Sequence, residues 1–416
     1  MTPDLRPGLT GLTGLAPAAI AAWLAERGQP AYRAAQLNAA VWAGGATAAS
    51  TIRTLPPDLR TELDAAFCLD TVADTEVREA DGGLTEKALH RLADGALIES
   101  VLMHYPARRT ADGQQRERHT VCISSQAGCA VGCPFCATGE LGFGRDLATA
   151  EIVDQVRAAA RRLAARPPSS GGRRHLTNVV FMGMGEPLLN LDRVLEAVSA
   201  LSDPGRFGLG ARHITVSTSG VVPGIRRLTA LGPQFTLAVS LHAARDPLRD
   251  VLVPLNRRWP LAEVVAAARD HAHVTGRRVS YEVTLIDGVN DTAADADAMA
   301  TLLRGDLCHV NLIPMNPVAH TPWVASPMAR IEQFAARLRH DGIAVTIRRN
   351  RGQEVGAACG QLAAERAGEP PAPVVARRRE LLVMRSAAAL RGERSSEPLE
   401  PDSAEATLAV ALARGQ

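Results

Sequence analysis

The chain has 416 residues, of which 46% are hydrophobic and 22% charged, with a formal net charge of +2. That balance excludes a wholly disordered protein and a disulfide-stapled mini-domain, and leaves room for two domains or one large domain with appendages. A charge so near zero names no nucleic-acid partner, although Arg clusters survive inside a balanced total. Lys87 is the only lysine, so nearly all of the 46 basic residues are Arg.

Residues 1–67 read as a small helical domain. Ile20, Trp23 and Leu24 share one helical face, and Leu37, Val41 and Trp42 repeat the pattern. Leu55-Pro56-Pro57 breaks the chain before a short helix over 58–67. Residues 68–118 form a β-rich connecting segment, with the clearest strand at 96–103. From 119 to 367 the rhythm alternates. Strands are predicted at 119–125, 178–184, 213–217, 235–241, 279–286, 309–315 and 344–349, with helices at 148–165, 191–201, 261–275, 293–303 and 328–340. Apolar strands alternating with helices mean an α/β fold on a parallel sheet, open or barrel. Arg-rich stretches at 105–118, 161–174 and 348–351 suit phosphate contacts. Residues 368–416 turn Pro-, Arg- and Glu-rich and read as a largely disordered tail with one helix near 374–390. No run of about 20 apolar residues offers a membrane span, and the N-terminus lacks the basic start and apolar core of a signal peptide. A cytoplasmic monomer is expected.

Seven cysteines are present, four of them within residues 122–136. Such clustering points to metal or catalysis rather than to an extracellular disulfide framework. Cys129-x3-Cys133-x2-Cys136 follows the first strand of the α/β region. Three thiolates hold three irons of a cubane and leave the fourth iron open, whereas structural zinc wants four closed ligands. The CxxxCxxC spacing is that of radical S-adenosylmethionine enzymes, which bind the cofactor at the open iron.

The strand ends agree with such a site. Gly183-Met184-Gly185-Glu186, Ser217-Thr218-Ser219-Gly220, Ser240-Leu241-His242 and Met315-Asn316 each replace an apolar run with small or polar groups. Parallel α/β sheets bind ligands at that edge. Glu186 offers a carboxylate to hold an ammonium group or to organise the neighbouring chain. Cys68 and Cys308 read as buried small hydrophobes.

Taken together, the blocks at 98–101 (IESV), 122–139 (CISSQAGCAVGCPFCATG), 183–192 (GMGEPLLNLD), 214–223 (ITVSTSGVVP), 238–250 (AVSLHAARDPLRD), 311–317 (NLIPMNP) and 348–362 (RRNRGQEVGAACGQL) resemble, in order, the RlmN family of radical S-adenosylmethionine RNA methyltransferases. Residues 30–42 resemble that family's small N-terminal domain. The resemblance implies a radical-SAM partial (β/α)6-type barrel with an RNA-binding-like helical domain at 1–67. It implies one [4Fe–4S] cluster on Cys129, Cys133 and Cys136. S-adenosylmethionine contacts would come from Gly185, Glu186, Ser217, Ser240, Leu241, His242 and Asn316. Cys359 would carry a methyl group, Cys122 would resolve it through a transient Cys122–Cys359 disulfide, and Glu99 would accept a proton. Two S-adenosylmethionine molecules serve each turnover, because carbon 2 of adenine is too electron-poor for direct methylation. The implied substrates are an adenosine of 23S rRNA and the adenosine 3′ of the anticodon in some tRNAs, with flavodoxin or ferredoxin as electron donor. The competing readings are a Cfr-type enzyme acting on carbon 8, a non-catalytic, zinc-stabilised RNA-binding protein, and another radical enzyme acting on a small molecule, which would leave Cys122, Cys359 and the helical N-terminal domain without a role.

Overall fold

The computed structural model describes residues 8–109, 115–166, 175–348, 350–362 and 372–394. The chain divides into two compact units, the first comprising Met1–Ala127, Asp146–Gly183 and Asn190–Ile214, and the second Gly128–Arg145, Met184–Leu189 and Thr215–Gln416.

Unit 1 begins with helices α1 (Pro17–Ala25), α2 (Tyr32–Trp42) and α3 (Pro57–Ala66). Pro17 and Pro57 open their helices, where a missing N–H costs nothing. Leu24, Leu37, Val41, Leu59 and Leu63 bury together with Leu12 and Ile52, and Ile20, Trp23 and Trp42 cover them. Strands β1 (Ala73–Ala80), β2 (Thr85–Arg91), β3 (Leu97–Arg109) and β4 (Gln115–Cys122) form an antiparallel meander. Helix α4 (Thr149–Ala165) carries the chain over to β5 (Asn178–Phe181), which pairs parallel with β4, and α5 (Leu191–Ser202) follows.

The meander's register aligns Arg78, Lys87, Val101 and Cys122, one residue per strand, with Leu89 opposite Glu99. Side chains alternate faces along a strand, so Lys87, Glu99 and Cys122 share one face. His90, Ser100 and His104 take the other. There Asp74 bonds His90 at 2.7 Å, Glu86 reaches His104 at 3.2 Å, and α4 supplies Arg162 to Asp74 at 2.6 Å and Arg166 to Glu86 at 2.7 Å.

Unit 2 is a wholly parallel sheet in chain order. Strands β6 (Ile214–Thr218), β7 (Thr236–Ser240), β8 (Val279–Leu285), β9 (Cys308–Pro314) and β10 (Ala344–Ile347) pair each with the next. Helices α6 (Val222–Leu231), α7 (Asp246–Leu252), α8 (Leu261–Thr275), α9 (Ala293–Leu303) and α10 (Met328–His340) make the crossovers. Right-handed crossovers between strands laid down in order keep the helices on one face, as in a barrel. Core strand residues such as Val239, Tyr281, Val283, Val310 and Leu312 are buried. The parallel strands also bring all their C-terminal ends to one edge.

Helix boundaries for α8, α9 and α10 match the periodicity; α6 and α7 escaped it. Both are short and begin with Pro at the second position, which reads as a breaker in sequence but is tolerated in a first turn. Helix α11 (Ala372–Leu390) packs Leu382 and Ala389 inward, and Arg394 just beyond it reaches Asp250 at 3.1 Å. The rest of the expected disordered tail, at 368–371 and 395–416, lies outside the described residues, as do 110–114, 167–174 and Arg349 of the Arg-rich stretches. Among the described residues no helix is long and apolar enough to cross a membrane.

Candidate active site

The three motif cysteines sit on one loop of unit 2. The Cys129 amide donates to the Gly142 carbonyl at 2.7 Å, and the Cys136 amide to the Cys133 carbonyl at 3.0 Å. All three are half-buried free thiols. Desolvation pushes the Cys129 thiol up to about 12, helped by nearby Cys136 and Glu186. The Cys133 thiol is also raised, by burial and by Cys136 and Cys129, with Arg249 opposing. Crowded thiols that resist ionisation alone become thiolates readily against a metal charge, so this donor set fits a polynuclear iron–sulfur group. No three His, Cys, Asp or Glu side chains among the described residues converge on a point that a single ion would fill.

The strand ends stand around this loop. Gly185 has φ +101°, a backbone conformation closed to most other residues, and sets the turn that delivers Glu186. Glu186 is buried, and one carboxylate oxygen accepts from the Ser219 amide and hydroxyl, both at 2.7 Å, while the other accepts from the Leu188 amide at 3.1 Å. It therefore organises the neighbouring strand end. Burial raises its carboxyl above the usual range, and the Ser219 and Leu188 bonds oppose the rise.

His242 is one of two non-glycine residues with positive φ among the described residues, at +60°. Its Nδ1 accepts from the Thr284 amide at 3.1 Å, and its ring meets Phe135 of the cysteine loop with centroids 4.5 Å apart. Burial and the neighbouring Arg249 charge drive its pKa down to about 3, so it is a neutral imidazole. Ser217 and Ser240 lie on β6 and at the end of β7. Leu241 is wholly buried; its amide donates to the Glu282 carbonyl at 3.0 Å.

Arg249 escaped sequence reasoning. It is fully buried and fans out to the carbonyls of Leu241 (3.0 Å), Ser219 (2.7 Å) and Ser240 (3.0 Å), and to Asn256 Oδ1 (2.7 Å). One guanidinium thus clamps the ends of β6 and β7. No hydrophobic pattern announces a buried Arg, and its place inside the block at 238–250 was the one signal.

Cys359 is exposed, on a loop fastened to the cysteine loop. The Ala137 amide donates to the Gly360 carbonyl at 2.7 Å, and the Thr138 hydroxyl to the Leu362 carbonyl at 2.6 Å. Asn316 Nδ2 donates to the Cys359 carbonyl at 2.9 Å while its Oδ1 accepts from Gln353 at 2.7 Å. The Cys136 thiol is raised by burial first, with Cys359 adding to the rise. Gly360 has φ +82°, and a Cβ there would lie 3.1 Å from the Phe135 carbonyl oxygen. Arg348, in the basic stretch expected near Cys359, reaches Glu282 at 3.5 Å.

Glu99 and Cys122 belong to unit 1, on the shared face of the meander described above. Glu99 is fully buried. None of the seven cysteines is joined in a disulfide, so the Cys122–Cys359 bridge expected as a transient species is not formed in this structure. Cys68 and Cys308 are buried, as small hydrophobes would be.

Comparison with known proteins places the chain. Residues 123–300 match the family model of the Radical SAM superfamily. A protein of Frankia alni is 54% identical over 345 residues, covering 82% of this chain and 80% of its own, and one of Acidothermus cellulolyticus is 48% identical over 376 residues, covering 85% and 87%. Both are named "Probable dual-specificity RNA methyltransferase RlmN". The crystal structure of a radical SAM methyltransferase from Sphaerobacter thermophilus superposes with a TM-score of 0.79 at 46% identity, covering 86% of this chain and all of that one. With the cysteine loop, the parallel strand ends and these likenesses together, the chain belongs to the RlmN family of radical SAM RNA methyltransferases.

Proposed function

We propose that this enzyme methylates carbon 2 of one adenosine in 23S rRNA and of the adenosine 3′ of the anticodon in some tRNAs. Cys129, Cys133 and Cys136 hold a [4Fe–4S] cluster, and the strand-end groups from Gly185, Glu186, Ser217, Ser240, Leu241, His242 and Asn316 seat S-adenosylmethionine. When bound, these cofactors supply the methyl group and the one-electron chemistry that an unreactive purine carbon requires.

The chain's own residues do the rest. Cys359 carries the one-carbon unit as a thioether. Glu99 takes the proton leaving the ring carbon. Once the adduct has given up an electron along with that proton, Cys122 attacks the Cys359 sulfur; the sulfur–carbon bond breaks with its electron pair on carbon, a proton from solvent completes the methyl group of the freed RNA, and the disulfide left behind is reset by a reductant. Neutral His242 and Phe135 shield the cysteine loop from water, and Arg249 keeps the strand ends in line. The electron donor is a flavodoxin or ferredoxin.

The observation that carries this reading is the fastening of the Cys359 loop to the loop of the three cysteines, through Ala137 to Gly360 at 2.7 Å. A methyl-carrying thiol has to work beside the cofactor that charges it. The test is anaerobic reconstitution with iron and sulfide, incubation with 23S rRNA fragments and tRNA, and mass spectrometry of the digested RNA against 2-methyladenosine and 8-methyladenosine standards. The 2-methyl product is expected. The 8-methyl product would move the enzyme to the Cfr-type reaction, and a colourless protein that leaves S-adenosylmethionine intact would refute the reading.

A further inference from the structure

Glu99 is fully buried, and a lone carboxylate in that position resists ionisation because burial penalises its charged form. A carboxyl that holds its proton accepts none. Lys87 stands 3.2 Å from Glu99, Nζ to Oε1, and is itself only 4% exposed. It is the only lysine of the sequence, in a chain that uses Arg at its other basic positions. The contact is diagonal across the antiparallel pair: Lys87 faces Val101 and Leu89 faces Glu99. Next in the same row is Cys122, opposite Val101.

Other charged groups of the meander have partners of their own among the described residues. On the shared face, Arg78 lies opposite Lys87 and bonds Glu76 at 2.6 Å. Ser124 on the following segment gives its hydroxyl to the Glu99 carbonyl at 2.7 Å. His90 with Asp74, and His104 and His119 with Glu86 and Glu117, lie on the opposite face with Arg162 and Arg166. Lys87 thus sets an ammonium directly against the Glu99 carboxylate.

We infer that Lys87 is a positioning residue for the base: its ammonium keeps Glu99 ionised and aimed along the face that also carries Cys122. This rests on Glu99 being the proton acceptor. In that step the C–H bond of the ring carbon breaks, its electron pair stays on the ring, and the proton forms an O–H bond with Glu99. Glu99 is then a neutral acid beside an ammonium left without its counter-charge, which favours handing the proton on and restoring the pair.

The expected signature is a shift in pH dependence. In reconstituted enzyme, Lys87→Met lowers methylated-RNA formation at neutral pH by about ten- to a hundredfold, and the rate climbs back with rising pH, because the acid limb moves up by about one to two units. Lys87→Arg keeps the wild-type profile at reduced rate. Glu99→Gln is inactive at every pH. A single lysine also gives a single signal: in the full chain labelled with 13C,15N-lysine, the side-chain resonance of Lys87 moves on Glu99→Gln, because the ammonium loses the carboxylate it contacts. A pH-independent loss in Lys87→Met, or a lysine resonance indifferent to Glu99→Gln, overturns the role of Lys87 while leaving Glu99 as the base. Full activity in Glu99→Gln refutes the base itself, and the proposal with it. The labelled-lysine measurement needs no change at Lys87, so it decides the matter even where Lys87→Met fails to fold.

Discussion

Arg249→Met removes the buried clamp on the ends of β6 and β7. Four acceptors lose their partner: the carbonyls of Ser219, Ser240 and Leu241, and Asn256 Oδ1. Each buried group left unpaired costs about 1–3 kcal/mol, and the strand-end carbonyls sit at the low end because water reaches the edge once the side chain shortens. Four at about 1 kcal/mol give about 4 kcal/mol. Relief from burying a guanidinium opposes this, since burial has already drawn its pKa down to about 10. Breaking a buried charged network from one side nonetheless costs about 3–5 kcal/mol in general, so a loss of about 3–4 kcal/mol is expected. Urea denaturation of the apo chain followed by circular dichroism measures it. Weaker binding of S-adenosylmethionine accompanies the loss, because Ser219 holds Glu186 in place. A destabilisation under about 1 kcal/mol would refute the reasoning, as it would mean that the strand ends hold their geometry without Arg249.

Three further outcomes are expected. Gly360→Val sets a branched side chain at φ +82° against the Phe135 carbonyl. Methyl transfer should fall at least about tenfold while the brown cluster colour remains, and parallel loss of colour would show that the two loops are one structural element. Cys122→Ala should trap RNA covalently on Cys359, visible on denaturing gels; free methylated RNA at normal yield would remove Cys122 from the scheme. His242 has its ordinary value of 6.5 in the unfolded chain and about 3 in the fold. Its pKa is depressed, so the unfolded state binds the extra proton between those limits. The stability it contributes is complete above about pH 6.5 and lost on acidification towards pH 3, at up to about 1.4 kcal/mol per unit. Asn also tolerates positive φ, so His242→Asn should fold and should flatten the acid side of the stability curve by about one proton; an unchanged slope would mean His242 is protonated in the fold.

Much of the fold was legible because it rests on short-range pattern. Helices α8, α9 and α10 begin and end where the apolar period does, since a helix is decided by residues three and four apart. The three cysteines lie within eight residues of one loop, so a ligand set could be proposed from spacing alone. The small residues at strand ends were equally plain, because parallel topology sends them all to one edge.

Three features were hidden for a common reason. Thr138 meets the Leu362 carbonyl across 224 residues of sequence, Arg249 gathers three carbonyls from two strand ends, and Lys87 finds Glu99 through the register of an antiparallel pair. No local propensity encodes any of them. The amino-acid pattern specified the elements and the chemistry they carry. Which loop lies on which, and which buried charge answers another, emerged when apolar faces packed and every desolvated polar group had to find a partner at long range.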